Sequence, residues 1–397
     1  MKTKLTIIVL LITTFNLVAQ ETAQKAGWEL LTSEFDSLPK RGLVGGALCR
    51  ADKGKIIDYK MYGYQDQANK IPITKKTIYN WGSNTKVITA VCIMQLKEQG
   101  RLRLDDPVIK YVPEFRWMRT DSVGVPIDSV KIKHLLTHTA YFIFGNKFNF
   151  YHGSADKDYN PIRWEQIAAV LPYYWLVDRP GLKFKYNSDG FIFLGRIIEN
   201  IMRESYASYV HKNIFMPLGM TTAHFGVSPP HLRKYKSVSY RKRKGDSVNT
   251  VYRLDHHNYG YGNPVGGLFA SVPDMMKFVS FLAGGDKGKK ELYNMVLPDT
   301  ALDEMFEAKF VTRKQKKGYG REVGISIFRL SHYKESCAYH NGVQYGFLSY
   351  LMIQRSTGKA FVYALNTNNK RIFNYSYYSV INRGGYRFLL GYKPSDK

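Results

Sequence analysis

Cysteine is nearly absent from this chain. Cys49, Cys92 and Cys337 are three widely spaced residues among 397. That odd number excludes a disulfide-stapled scaffold, and no zinc-type cysteine spacing appears. At this length, a hydrophobic content of 44% is ample for a large core without staples. Cys92 lies within the apolar run Val87–Leu96, where packing is its expected role, and Cys337 reads as a strand residue. Acidic residues are also scarce: 32 Asp and Glu face 58 Lys and Arg, a formal charge of +26. Such a surface attracts anionic polymers, lipid headgroups or nucleic acid. The charge is clumped at Arg233–Lys244 (RKYKSVSYRKRK) and Arg313–Lys317 (RKQKK). These clumps read either as solvated loops or as patches for anionic cell-envelope polymers. No base-recognition motif accompanies them, so nucleic acid is not expected as a partner.

Long hydrophobic runs are lacking outside the first residues. Lys2 and Lys4 precede the mostly apolar stretch Leu5–Leu17, and small Ala19 follows Leu17-Val18. The run falls short of the roughly 20 residues that span a bilayer. It has the form of a secretory signal peptide over residues 1–19, with an uncleaved membrane anchor as the alternative. No cysteine follows it for a lipid. The expectation is an exported protein, periplasmic, with no stable transmembrane span after cleavage.

There is no internal repeat and no low-complexity linker. Val44–Arg50 and Lys55–Tyr64 are β-prone runs joined by Ala51-Asp52-Lys53-Gly54, a hairpin signal. Lys86–Gln99 carries apolar residues at helical spacing, with Gly100 as a stop. Further helices are expected at Ile132–Thr137, Trp164–Leu171, Phe191–Met202, Tyr206–Phe215 and Pro273–Leu282. Strands return at Val323–Leu330, Phe347–Ile353 and Ala360–Leu365, and Ile372–Leu389 reads as a closing helix. Strands at both ends with helices between imply an α+β fold: an antiparallel sheet flanked by helices, with an inserted helical subdomain. A cleft between the two parts is a natural ligand site.

The long helix opens on Tyr79-Asn80-Trp81-Gly82-Ser83-Asn84-Thr85-Lys86. A serine hydroxyl is a poor nucleophile until a neighbour removes its proton. Ser83 and Lys86, three apart, share one helix face, and burial would lower the lysine pKa enough for it to act as a base. A helix N-terminus also favours developing negative charge. SxxK alone arises readily by chance. Two further motifs follow in order, Tyr186-Asn187-Ser188-Asp189-Gly190 and His340-Asn341-Gly342-Val343.

With these three motifs the chain resembles the serine β-lactamase and penicillin-binding-protein superfamily. It is most similar to the class C β-lactamases and their esterase and peptidase relatives. In that branch the middle motif is Tyr-x-Asn and the third can be His-x-Gly. Gln95–Val108, Leu135–Thr139 and Pro264–Ser271 resemble its connecting segments, so the likeness runs from about Gly42 to Asn366. The resemblance implies a β-lactamase/transpeptidase-like hydrolase domain over residues 20–397. It acts on a small-molecule or peptide substrate, without cofactor or metal. Ser83 would attack a carbonyl and form an acyl-enzyme, with Lys86 and Tyr186 sharing acid and base work. His340 would take a cationic or proton-donating position, and Gly342 would leave room for substrate along the strand. The N–H groups of Ser83 and Val343 would form the oxyanion hole, with Asn341 and Ser188 beside the substrate.

Two departures stand out. Ser188 occupies the expected asparagine position, offering one hydroxyl in place of an amide, which disfavours β-lactam hydrolysis relative to ester or D-amino-acid peptide cleavage. Ala140-Tyr141 follow Thr139 where relatives usually have Ser-Gly. His256-His257 are adjacent and point apart, and His134 and His138 lie in a stretch read as structural, so no metal is assigned. Against the hydrolase stands a second reading: a catalytically inactive envelope binding protein on the same fold.

Overall fold

A computed structural model describes residues 22, 25–116, 125–144, 163–241, 250–252, 258–316, 319–332 and 335–390. The expected leader and the His256-His257 pair lie outside them. Strands from both ends of the chain meet in one nine-stranded sheet. The early strands are β1 (Gly45–Asp52), β2 (Lys55–Asp66) and β3 (Ile71–Pro72). The late ones are β4 (Phe310–Lys316), β5 (Tyr319–Val323), β6 (Phe328–His332), β7 (Glu335–Gln344), β8 (Phe347–Gln354) and β9 (Lys359–Leu365). Their order is β4-β5-β6-β7-β8-β9-β1-β2-β3, and every neighbouring pair is antiparallel. The β1–β2 hairpin closes in two residues: Asp52 pairs with Lys55, leaving Lys53 and Gly54 at φ 49° and 74°. Positive φ at both turn positions matches the twist of the strands.

Strand alternation explains how the sheet holds two layers. In β8 and β9, Leu351, Ile353, Val362 and Ala364 enter the core on the helical side, while Leu348, Tyr350, Met352, Phe361 and Tyr363 enter a second core on the other. All eight residues of β8 are buried, the mark of a strand covered on both faces. With the helix of residues 25–36 as α1, the helical side holds α2 (Thr85–Glu98), α3 (Ile132–Leu136), α4 (Gly190–Met202) and α5 (Val272–Ala283). In α2, Thr85 through Leu96 are all buried. A helix enclosed on every face is a central one, so its N-terminal end is held in the interior. The second core lies under the helix of residues 25–36 and the C-terminal helical stretch from Lys370 to Leu390. Cys49, Cys92 and Cys337 are buried free thiols.

Two expectations need correction. Val323–Leu330 is not one strand: β5 ends at Val323, β6 begins at Phe328, and Ser326 between them has φ 57°. Ile325 and Ile327 are apolar because this turn plugs the helical core, and the Ser326 N–H donates to Leu136 O at 3.0 Å. Nor are the basic clumps simply loops. Arg313–Lys316 lie in β4, at the edge of the sheet. Arg233–Tyr235 end a short helix, and Ser239–Arg241 form a strand. Among the described residues no helix is long and apolar enough to cross a membrane.

Candidate active site

The Ser83 turn is fastened from three directions. The strand Ile78–Asn80 pairs with Phe269–Ser271, and the Trp81 indole donates to Ala270 O at 3.0 Å. Asn80 Oδ1 accepts the Gly82 N–H at 3.0 Å, while its Nδ2 donates to Gly266 O at 3.1 Å. Gly82, at φ 50°, then turns the chain into the short Gly82–Asn84 helix that runs on into α2. From the sheet, Ser349 on β8 donates its hydroxyl to Trp81 O at 2.9 Å and accepts from Asn84 Nδ2 at 2.8 Å.

Lys86 is fully buried, with Nζ 3.0 Å from Ser83 Oγ and 2.9 Å from Val265 O. Its Nζ lies 5.3 and 5.6 Å from the ring centroids of Tyr186 and Phe191. Burial holds the amine well below the ordinary lysine range, and Asp189 opposes that only in part. A neutral amine here can donate to Val265 O and take the serine proton on its lone pair.

Tyr186 arrives on the irregular segment that precedes α4. Burial pushes its pKa up to about 12, and the nearby Ser83 and Ser188 side chains oppose that in part. The residue as a whole is 40% exposed, which moderates that push, but the phenol is protonated at neutral pH either way. The neighbouring Asn187 turns elsewhere: its Oδ1 accepts the Gly190 N–H at the start of α4, at 3.2 Å.

His340 is 1% exposed, and its Nδ1 donates to Asn341 O at 2.8 Å. Burial, and then the nearby Lys86, push its pKa down to about 3. The imidazole is therefore neutral, with Nε2 as a bare acceptor that has no partner among the described residues.

The pairing of β6 with β7 ends at Phe328 and Tyr339. Beyond that point β7 pairs only with β8, and its other edge lies against the Ser83 turn. A Cβ on Gly342 would stand 2.0 Å from Trp81 O, so only glycine permits this approach. A Cβ on Gly82 would stand 3.0 Å from Val343 N, which puts the Val343 amide beside the serine turn. Alternation sends Asn341 to the opposite face, where it lines a cavity of about 260 Å³ with Leu348, Tyr350, Tyr363 and Phe373. Its side chain is thus not gathered with the others.

One residue that the sequence reading treated as structural sits among them. His138 is 1% exposed, and its ring stacks on Tyr186 at 4.3 Å. It does not share a helix face with His134: α3 ends at Leu136, and His138 has φ 56°. Tyr141 also holds a left-handed φ of 52°. A cavity of about 760 Å³, lined by Lys133, His134, Thr137, Thr139, Glu304 and Ile325 among others, is distinct from this cluster. None of the residues around Ser83 lines it, so cavity size alone does not locate the chemistry. Among the described residues no group of three or more His, Cys, Asp or Glu side chains could hold a metal ion.

The family model for Beta-lactamase matches residues 19–380. The chain belongs to the Beta-lactamase family. Within the family it is similar to Protein flp of Staphylococcus aureus (strain N315), with 31% identity over 188 residues, 47% of this chain and 36% of flp. The chain thus matches little more than a third of that relative's length. Among solved structures, the octameric penicillin-binding protein homologue from Pyrococcus abyssi superposes with a TM-score of 0.75 at 23% identity, covering 93% of this chain and 78% of that one. A class C beta-lactamase superposes with a TM-score of 0.69 at 18% identity, covering 90% and 96%. At these identities the likeness establishes the β-lactamase/transpeptidase-like fold.

Proposed function

We propose that this Beta-lactamase family member is a serine hydrolase that cleaves an ester or amide through an acyl-Ser83 intermediate. The observation that carries this reading is the fully buried Lys86 amine 3.0 Å from Ser83 Oγ, where burial lowers its pKa well below the ordinary lysine value. Neutral Lys86 takes the Ser83 proton as Oγ bonds to the substrate carbonyl carbon. The carbonyl electrons move onto oxygen, which the Ser83 and Val343 N–H groups receive. As the tetrahedral intermediate collapses, the leaving group takes the Tyr186 proton, and the proton on Lys86 restores the phenol. Water then attacks the acyl-enzyme, passing its proton through the same groups and returning one to Ser83. Tyr186 acts here as a proton donor, because its raised pKa disfavours a resting phenolate.

Ser188 narrows the substrate class. It offers a single hydroxyl beside Tyr186 where an asparagine would offer both a carbonyl and an amide to a substrate amide. Esters and D-amino-acid peptides are favoured over β-lactams on this ground. Export to the periplasm is part of the proposal and rests on the N-terminal pattern; contact with anionic envelope polymers rests on the +26 charge. A panel of p-nitrophenyl esters, D-aminoacyl peptides and cephalosporins tests the function. Ser83-dependent turnover, fastest on esters or D-peptides, supports it. Absence of turnover across the panel, with salt-sensitive glycan binding, would favour an inactive binding protein.

A further inference from the structure

We propose that His138 is a positioning residue for Tyr186, an inference that rests on the hydrolase reading above. Residues 184–187 have no regular secondary structure, so no ladder of backbone bonds fixes the phenol. His138 supplies what is missing at three successive positions. Its carbonyl accepts the Lys185 N–H at 2.9 Å. Its ring lies 4.3 Å from the Tyr186 ring, the planes inclined by 26°. Its Nδ1 lies 3.1 Å from Asn187 N and 3.0 Å from Asn187 O, so the Asn187 peptide is engaged whichever ring nitrogen carries the proton.

The left-handed backbone at His138 accompanies this arrangement, in which carbonyl and ring both serve one segment. Phe191 and Phe184 enclose the ring at 5.3 and 6.0 Å. The charged or titratable groups facing it are Lys86 on α2, His340 on β7 and Tyr186. Burial and Lys86 keep the imidazole neutral, so it holds the segment without exchanging protons. His138 touches Tyr186 and not the reacting atoms.

The test uses the full chain and a fluorophosphonate probe that acylates Ser83. His138→Asn keeps an acceptor for the Asn187 N–H and tolerates left-handed backbone, but removes the ring. His138→Phe keeps a ring and removes the hydrogen bond. A misplacement of about 1 Å costs on the order of 10²-fold in rate. The Phe variant is therefore expected to lose about that factor in the limiting labelling rate, with little change in probe affinity, and the Asn variant to stay within about tenfold of wild type. In a Tyr186→Phe background the two variants are expected to differ by less than about threefold, because the effect runs through Tyr186. A Phe variant as fast as the Asn variant, or an unchanged loss in the Tyr186→Phe background, would overturn the assignment. Failure of wild type to label would instead overturn the hydrolase reading beneath it.

Discussion

Lys86→Met is the substitution with the most to say about this site. Methionine has nearly the length of lysine, carries no proton and fills the same channel between Ser83 and Val265. In the folded protein burial holds the pKa of the Lys86 amine well below the ordinary lysine range, and the proposed base role requires the amine uncharged. In the unfolded chain it carries a proton up to a pKa of about 10.4. Between those two values unfolding takes up one proton, so wild-type stability rises with pH through this window and falls as acid is added. The contribution is about 1.4 kcal/mol per pH unit. Methionine lacks it. The variant is therefore expected to be more stable than wild type, by a margin that shrinks by about 1.4 kcal/mol from about pH 8 to about pH 9. Equilibrium urea unfolding of both proteins at the two pH values gives the comparison, and other titrating groups cancel in the difference. Activity should be lost at both. A margin that does not change with pH would mean that the amine is charged in the folded protein, and Lys86 would then not be the base.

Other expectations follow from the same geometry. Gly342→Ala must push β7 away from Trp81 O, 2.0 Å from the added carbon; with the fold intact by circular dichroism, acylation should fall by about 10²–10³, the usual loss when an oxyanion donor is displaced. Ser349→Ala leaves Trp81 O and Asn84 Nδ2 without their shared partner. It should cost about 1–3 kcal/mol in urea unfolding and slow acylation. The pH–rate profile should rise from acid as Lys86 loses its proton, then stay level, since the Tyr186 phenol ionises only near 12. His340 titrates near 3, so His340→Gln should leave the position of the acid limb unchanged.

Much of this site is legible in the sequence because it is local. Ser83 and Lys86 lie one turn apart at the start of an apolar run, and the helix that forms there brings Nζ to Oγ. The hairpin at Lys53-Gly54 and the strands Phe347–Gln354 and Lys359–Leu365 declare themselves by turn chemistry and apolar content. Other features depend on tertiary placement. His138 looked structural, and its four-residue spacing from His134 raised only the question of a metal; nothing local says that it faces residues 185–187. Ser349 becomes visible only through its register opposite Gly342. Asn341 follows His340 in sequence, but strand alternation sets it on the opposite face. Val323–Leu330 read as a strand because buried turns and buried strands share an apolar composition, and Gly324 and Ser326 were the signals against it.

The central claim is that Ser83 becomes acylated with Lys86 as its base. Intact-mass and peptide mass spectrometry after treatment with a fluorophosphonate and with a penicillin probe test it most directly. Wild type should give a single fluorophosphonate adduct on the Ser83 peptide, absent from Ser83→Ala and Lys86→Met, with the penicillin adduct slower or missing. No adduct on folded wild type, or one that persists in Ser83→Ala, would contradict it.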